Sequence, residues 1–408
     1  MPATVRRTDS RGEGVAVAPG RNSAAVTTLL EQIPSLAKAF GAGSAVRGAD
    51  RAPGPQPAIV LAEGAFQTPG AKVAHGLVRG TSRFDIRAVV DSTCAGSDAG
   101  VLLDGRPVGI RVVGDLAGAR LLAGAGRPAA ILGVAPHGGR LNPQVHAELV
   151  QALRHGFDIV SGLHDFLCDD PVIAPLARRL GATLTDVRKP PADRPLRYWT
   201  GDVADLRATR IAVLGTDCMV GKRTTSRLLV EGLRTAGTSA EMIHTGQTGW
   251  MQGGRYGIVL DSLPCDFIAG ELEGAMLACA AEADPDVMVL EGQSALRNPA
   301  GIGAGSRGIM IAGDAHAIVL QHSPAREFYD GLEERGHRIP DIADEVSLLE
   351  RFERPVCAVT INTQGMDPAT IDAECARLEE RLARPVVAPL EQGVDRVVEA
   401  VRNAARSS

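Results

Sequence analysis

The residues with the clearest chemical promise read GTDCMVGKRTT, from Gly215 to Thr225. The apolar stretch RIAVL precedes them and a helix-patterned segment follows. A glycine turn, a Gly-Lys pair and a helix start make up a phosphate-binding loop. Its backbone N–H groups, helix N-terminus and lysine hold phosphate oxygens. The spacing departs by one residue from G-x-x-x-x-G-K-[ST]: Thr216 stands five before Gly221, and the early glycine is Gly215. After Lys222 comes Arg223, where a hydroxyl normally holds Mg2+, and then Thr224 and Thr225. Lys222 is therefore the expected phosphate cation, with Arg223 as a possible second one. Thr224 or Thr225 is the expected Mg2+ ligand. Asp217, Cys218, Met219, Val220 and Gly221 form the expected cradle, with Gly215 and Thr216 at its start. A nucleophile at Cys218 would have to share that space with phosphate.

Other chemistry-bearing residues fall at the ends of apolar runs. Glu291 follows VMVL, where a P-loop enzyme places a metal-binding carboxylate; capping the next element is its bland reading. Asp266 and Glu271, in CDFIAGELE, are candidate substrate contacts, or else ordinary partners of a helix N-terminus. HTGQTG supplies His244 as a candidate base and Gln247 and Thr248 as candidate substrate contacts. His322, in QHSPAR, is a second candidate base, and Asn362 a candidate reader of a purine edge. GIGAGSRG, from Gly301 to Gly308, reads as a lid or a surface loop. Earlier in the chain, His137 in APHGGRL and His164 in SGLHDFL each follow a strand pattern. With Lys72 and His75 they form a candidate site for an anionic small molecule, shared with the later half. The glycines at 64, 70 and 76 do not make G-x-G-x-x-G, so Asp91 at a strand end is a weak sign of NAD binding.

The elements that must position these residues alternate along the chain. PAIVL, RAVVD, GIRVV, PAAIL, DIVS and TLTDV read as strands, separated by helices such as AKVAHGLV and QVHAELVQALR. A second series follows: RIAVLG, SAEMIH, DVMVLE, HAIVLQ, PVCAVTI and PVVAP. Continuous apolar runs between helices imply parallel sheets covered on both faces. The expected class is α/β, with two parallel-sheet domains: a Rossmann-like domain over 56–190 and a P-loop domain over 191–408. Residues 1–55 read as a disordered extension and linker, with one amphipathic segment at Ala24–Phe40. Lys189–Arg207 is proline-rich and suits an interdomain connector.

Composition narrows the function classes. A chain of 408 residues exceeds one ordinary core, and a net charge of −5 argues against nucleic acid as partner. No apolar run is long enough for a membrane span. Seven scattered cysteines without Cys-x-x-Cys indicate neither a disulfide framework nor a zinc knuckle. The expectation is a cytoplasmic homo-oligomer acting on a small amino-acid or carboxylate substrate.

Two resemblances sharpen this. The loop GTDCMVGK resembles the GTD-x-x-VGKT loop of ligases of the dethiobiotin synthetase and cobyrinate amidase type, with Arg223 as the departure. That likeness implies ATP, Mg2+ and an acyl phosphate formed on a small carboxylate. GAKVAHGLVR, GVAPHGGRL, ALRHGFDIVSGLHDFL, TDVRKPP, HTGQTG, CDFIAGELE and VLEGQSAL, together with the loop, resemble the domain-of-unknown-function sixteen-eleven family. The likeness spans about residues 57 to 400 and implies a Rossmann-like half followed by a P-loop half. It also implies N-acetylation of D-glutamate, with the phosphates of acetyl-CoA in the same cradle. The residue chemistry leans to the ligase, with the acetyltransferase as the alternative.

Overall fold

The computed structural model describes residues 55–134, 137–191, 193–300 and 305–407. The extension, the segment Ala24–Phe40 and residues 301–304 of the expected lid lie outside them. The described residues belong to one compact unit.

The apolar runs become two wholly parallel sheets. Strands β1 (Gln56–Leu61), β2 (Phe84–Val90), β3 (Arg111–Val113), β4 (Ala129–Leu132), β5 (Asp158–Ser161) and β6 (Leu184–Asp186) form the first. Its order is β3-β2-β1-β4-β5-β6, the doubly wound arrangement of a Rossmann-like sheet. Its helices are α1 (Lys72–Val78), α2 (Ala99–Asp104), α3 (Leu116–Ala123), α4 (Pro143–Arg154) and α5 (Ile173–Leu180). Alternate residues of β1 serve opposite faces. Val60 packs with Val73 and Leu77 of α1, while Ile59 and Leu61 pack with Leu149 and Leu153 of α4.

The second sheet holds β7 (Thr209–Gly215), β8 (Ala240–His244), β9 (Tyr256–Gly257), β10 (Val287–Glu291), β11 (Ala317–His322), β12 (Val356–Ile361) and β13 (Val386–Val387). Its order is β13-β12-β11-β7-β10-β8-β9, so β7, which feeds the glycine loop, lies between β11 and β10. Its helices are α6 (Lys222–Thr235), α7 (Gln247–Met251), α8 (Cys265–Ala283), α9 (Ser306–Ala312), α10 (Ile342–Glu350), α11 (Ile371–Leu382), α12 (Pro389–Gln392) and α13 (Asp395–Ser407). The carboxyl ends of β7, β10 and β11 therefore converge where chain direction across the sheet reverses, the usual ligand position in open α/β sheets. Among the described residues no helix is long and apolar enough to cross a membrane.

Two parts differ from the sequence reading. HTGQTG, expected to present ligand contacts after a strand, instead leads into the buried helical turn Gln247–Met251, whose Trp250 and Met251 join the core of the first sheet. Burying two such side chains contributes roughly 1.5–3 kcal/mol each, so α7 pins the halves together. Lys189–Arg207 is not a free linker either. Glu271 of α8 takes a two-pronged ion pair from Arg194 (2.7 and 2.5 Å) and the N–H of Arg197 (2.7 Å). Glu273 accepts the N–H groups of Thr200 (2.7 Å) and Gly201 (2.8 Å). The expected substrate role of Glu271 is thus replaced by a structural one, because a buried carboxylate already satisfied by a guanidinium has little left for a ligand.

Candidate functional site

The glycine loop runs from the end of β7 into α6. Met219 (φ 53°) and Gly221 (φ 105°) adopt left-handed backbone, which turns the loop back on itself; Gly221 does so at low cost, whereas Met219 is strained. No side chain caps α6, so its first-turn N–H groups stay available to an anion. Asp217 braces the loop from behind. Fully buried, it accepts from Cys218 N (2.6 Å), Asn298 Nδ2 (2.8 Å), Asp330 N (2.8 Å) and Arg326 Nη1 (3.0 Å).

Lys222 is 6% exposed, and its Nζ donates to the carbonyls of Asp217 (2.6 Å) and Ser294 (2.8 Å). An ammonium has three protons, so one remains for a phosphate oxygen. Burial pushes its pKa down to about 8, against the pull of Cys218, Asp217 and Glu291. Ser294, itself in left-handed backbone (φ 53°), closes this side of the loop. Its Oγ lies 3.6 Å from Cys218 Sγ.

Thr225 does not present its hydroxyl to the loop: Oγ1 donates to Gln321 Oε1 at 2.5 Å, and Thr360 donates to the same oxygen at 2.6 Å. Thr216 Oγ1 lies 3.0 Å from His322 Nδ1, so His322 does border the cradle. Gln321 and Asn362 form the floor beneath Gly221, where a Cβ would come within 3.6 and 3.9 Å of their amide nitrogens. Burial holds His322 at about 4, with Glu374 and Asp341 opposing.

Glu291 ends β10, is 4% exposed, and accepts the N–H of Thr245 at 3.1 Å. Burial raises its pKa, while the charge of Arg223 and then Lys222 restrains the rise. His244 lies beside it, sealed among Gly249, Gly254 and Gly257, where an added Cβ would crowd the imidazole. Its Nδ1 has no partner, and burial holds the ring at about 4. A ring so enclosed cannot reach a substrate amine, which removes the expected ground for His244 as base.

The two sheets meet over this loop. Gln247 lies against Gly162, just beyond β5, and Thr248 against Gly76 of α1; a Cβ at either glycine would stand 2.9 Å from them. Both side chains therefore serve the interface between halves, contrary to the expected substrate contacts. Arg223 reaches the same place, with Nη2 2.8 Å from a Cβ at Gly76. Lys72, one turn before Gly76 on α1, shares this cleft. Burial lowers its pKa, Cys218 opposes that, and Arg188 and Arg223 add to it. Arg188 is held by Asp261, with Nη2 to Oδ2 at 2.6 Å, and by the carbonyl of Gly162.

The remaining expected residues scatter. His164 is exposed and lies against Gly139, to whose carbonyl its N–H donates (2.8 Å). His137 begins the short turn His137–Gly139, and its side chain lies outside the described residues. Asp266 is exposed on the first turn of α8. His75 bonds the carbonyl of Phe66 (2.6 Å), and Asp91 accepts from Phe66 N and Thr93, so neither is presented to a ligand.

Fold and site together define a P-loop protein on two parallel sheets, with the loop facing a Rossmann-like half. The chain belongs to the DUF1611 family. Its P-loop domain model matches residues 197–398 and its Rossmann-like domain model matches residues 92–190. A D-glutamate N-acetyltransferase of Tritonibacter scottomollicae is 31% identical over 282 residues, 68% of this chain and 82% of its own. One of a Pseudoalteromonas species is 30% identical over 274 residues, 66% and 79% respectively. The crystal structure of a DUF1611 family protein from Anabaena variabilis is similar with a TM-score of 0.77 and 26% identity, over 85% of this chain and 99% of that one. Membership of a family with such relatives makes this chain an enzyme.

Proposed function

We propose that the protein transfers the acetyl group of acetyl-CoA to the amino group of an acidic amino acid of the D-glutamate type. The observation that supports this best is the uncapped helix N-terminus around Lys222, with Lys72 of α1 close enough to the same loop to feel the charge of Cys218 and Arg223. The likeness to two D-glutamate N-acetyltransferases points the same way. In this reading the loop N–H groups and Lys222 hold phosphate oxygens of CoA. The amino acid lies in the cleft, whose surplus of cations draws its carboxylates.

The substrate ammonium first gives a proton to a base. The amine lone pair then attacks the thioester carbonyl, the C–N bond forms and the C–S bond breaks. The second nitrogen proton passes to the departing thiolate, so that CoA leaves as the thiol. His322 at about 4 is neutral but too weak to take the first proton readily. Lys72, lowered by burial and by Arg188 and Arg223, is matched better to that task and is our candidate. A coupled assay with acetyl-CoA and D-glutamate tests the reading; release of CoA thiol supports it.

The loop's own spacing favours a second reading, an ATP- and Mg2+-dependent ligase activating a small carboxylate, with Thr224 and Glu291 at the metal. It predicts ADP or phosphate release with amino acids and no use of acetyl-CoA.

A further inference from the structure

A divalent metal in a standard phosphate loop takes the hydroxyl after the lysine and is steadied by a carboxylate from a neighbouring strand. The residues here do not fit that group. The position after Lys222 carries a guanidinium, which has no lone pair to offer. Thr225 is 2% exposed, and its hydroxyl is turned inward to Gln321, away from the loop's anion side. Thr224 is the next residue along α6, about 100° round the helix from Arg223. Glu291, the carboxylate available, lies in the same corner as the guanidinium. Arg223 Nη2 and Thr248 Cγ2 both crowd Gly76, and Glu291 Oε2 lies 3.1 Å from where a Cβ on Gly249 would stand. Among the described residues the guanidinium of Arg223 makes no hydrogen bond, so its donors are unspent.

We infer that Arg223 stands as a resident cation where the metal of a standard phosphate loop would be, so that this loop binds its phosphate ligand without Mg2+. A buried carboxylate needs a nearby cation, and the charge of Arg223 is the first to oppose the effect of burial on Glu291. The same group adds a second positive charge to the first turn of α6, the service a metal gives the phosphates. Gly76 on the first half leaves the guanidinium its room, which explains a glycine in mid-helix. The inference rests on the phosphate cradle of the proposed function but not on the reaction that follows.

The test is calorimetric titration of the full chain with CoA and, separately, with ADP, each in EDTA and in Mg2+. Affinity should agree within about twofold with and without metal. Arg223→Ala should bind about tenfold more weakly, the loss of one charge-assisted contact, and Mg2+ should not restore it. Arg223→Lys should keep most of the affinity. Arg223→Thr, which puts back the hydroxyl, should be weak in EDTA and recover in Mg2+. Thermal melts confirm that each variant is folded. Wild-type binding that requires Mg2+, Arg223→Ala binding as wild type, or neither probe binding overturns the inference. Metal-free binding of ADP without binding of CoA sinks the acetyl-transfer reading and leaves this one standing.

Discussion

The guanidinium of Arg223 lies against Gly76, so that a Cβ on that glycine would stand 2.8 Å from Nη2 and 3.5 Å from Cζ. One residue belongs to the phosphate loop's helix and the other to the first helix of the Rossmann-like half. The loop is thereby coupled to the opposite wall of the cleft, and the position of the arginine becomes sensitive to both.

Gly76→Ala tests that coupling. Alanine in place of a mid-helix glycine contributes up to about 1 kcal/mol of stability, but the methyl displaces the arginine's flexible end. It also stands 2.9 Å from the buried Thr248 Cγ2, so the melting temperature should fall modestly while CoA affinity falls about tenfold. Calorimetry beside a thermal scan measures both; unchanged affinity would speak against a role for the contact.

Lys222→Ala removes the ammonium between Asp217 and Ser294. Loss of a preorganised charge at a reacting site costs on the order of 10²-fold, so kcat/KM should drop by at least that. The result tests the cradle and is indifferent to the reaction.

Lys72 separates base from counter-ion. Lys72→Arg keeps the charge and loses the proton acceptor, since arginine stays protonated. It should fall in kcat as far as Lys72→Ala with little change in KM, and the rise of activity with pH as Lys72 loses its proton should disappear. Activity retained in the arginine variant would assign Lys72 to substrate charge instead.

Glu271→Gln leaves Arg194 without its buried partner. The cost should be about 3 kcal/mol in chemical denaturation, with turnover at 25 °C unchanged. A selective rise in KM would return Glu271 to the substrate site.

Acid should loosen the fold through its buried histidines. His244 sits at about 4 against an ordinary 6.5, so the unfolded chain binds the proton that the folded one refuses. Its contribution is complete above pH 6.5 and is lost as pH falls towards 4, by ~3 kcal/mol. Denaturation curves at pH 7 and pH 5 should show the decline, and His244→Leu should reduce it by about half, because His322 contributes a like share.

Most of the architecture was legible in the sequence because buried parallel strands are uninterrupted apolar runs: PAIVL and RIAVLG admit few alternatives. β9 was missed because two residues carry no pattern, and α2 and α3 because their alanines and glycines blur the helical period. The loop was legible from local spacing, since Gly215 to Lys222 act within one turn of chain. The cleft was not. Gln247 and Thr248 read as ligand contacts because they follow a strand, yet the first half covers them. Glu271 read as a substrate contact or a partner of its own helix N-terminus because Arg194 is far away in sequence. The one overlooked signal was Gly76, a glycine inside a helical pattern, which marks a close approach by another group.

The central claim is acetyl transfer at a metal-free phosphate loop. Its most direct test is the full chain incubated with acetyl-CoA and D-glutamate in EDTA, following CoA thiol release and the acetylated amino acid. The account predicts both products in equal amounts, without ATP or Mg2+. No thiol release, together with ADP or phosphate formed from ATP, Mg2+ and an amino acid, would contradict it.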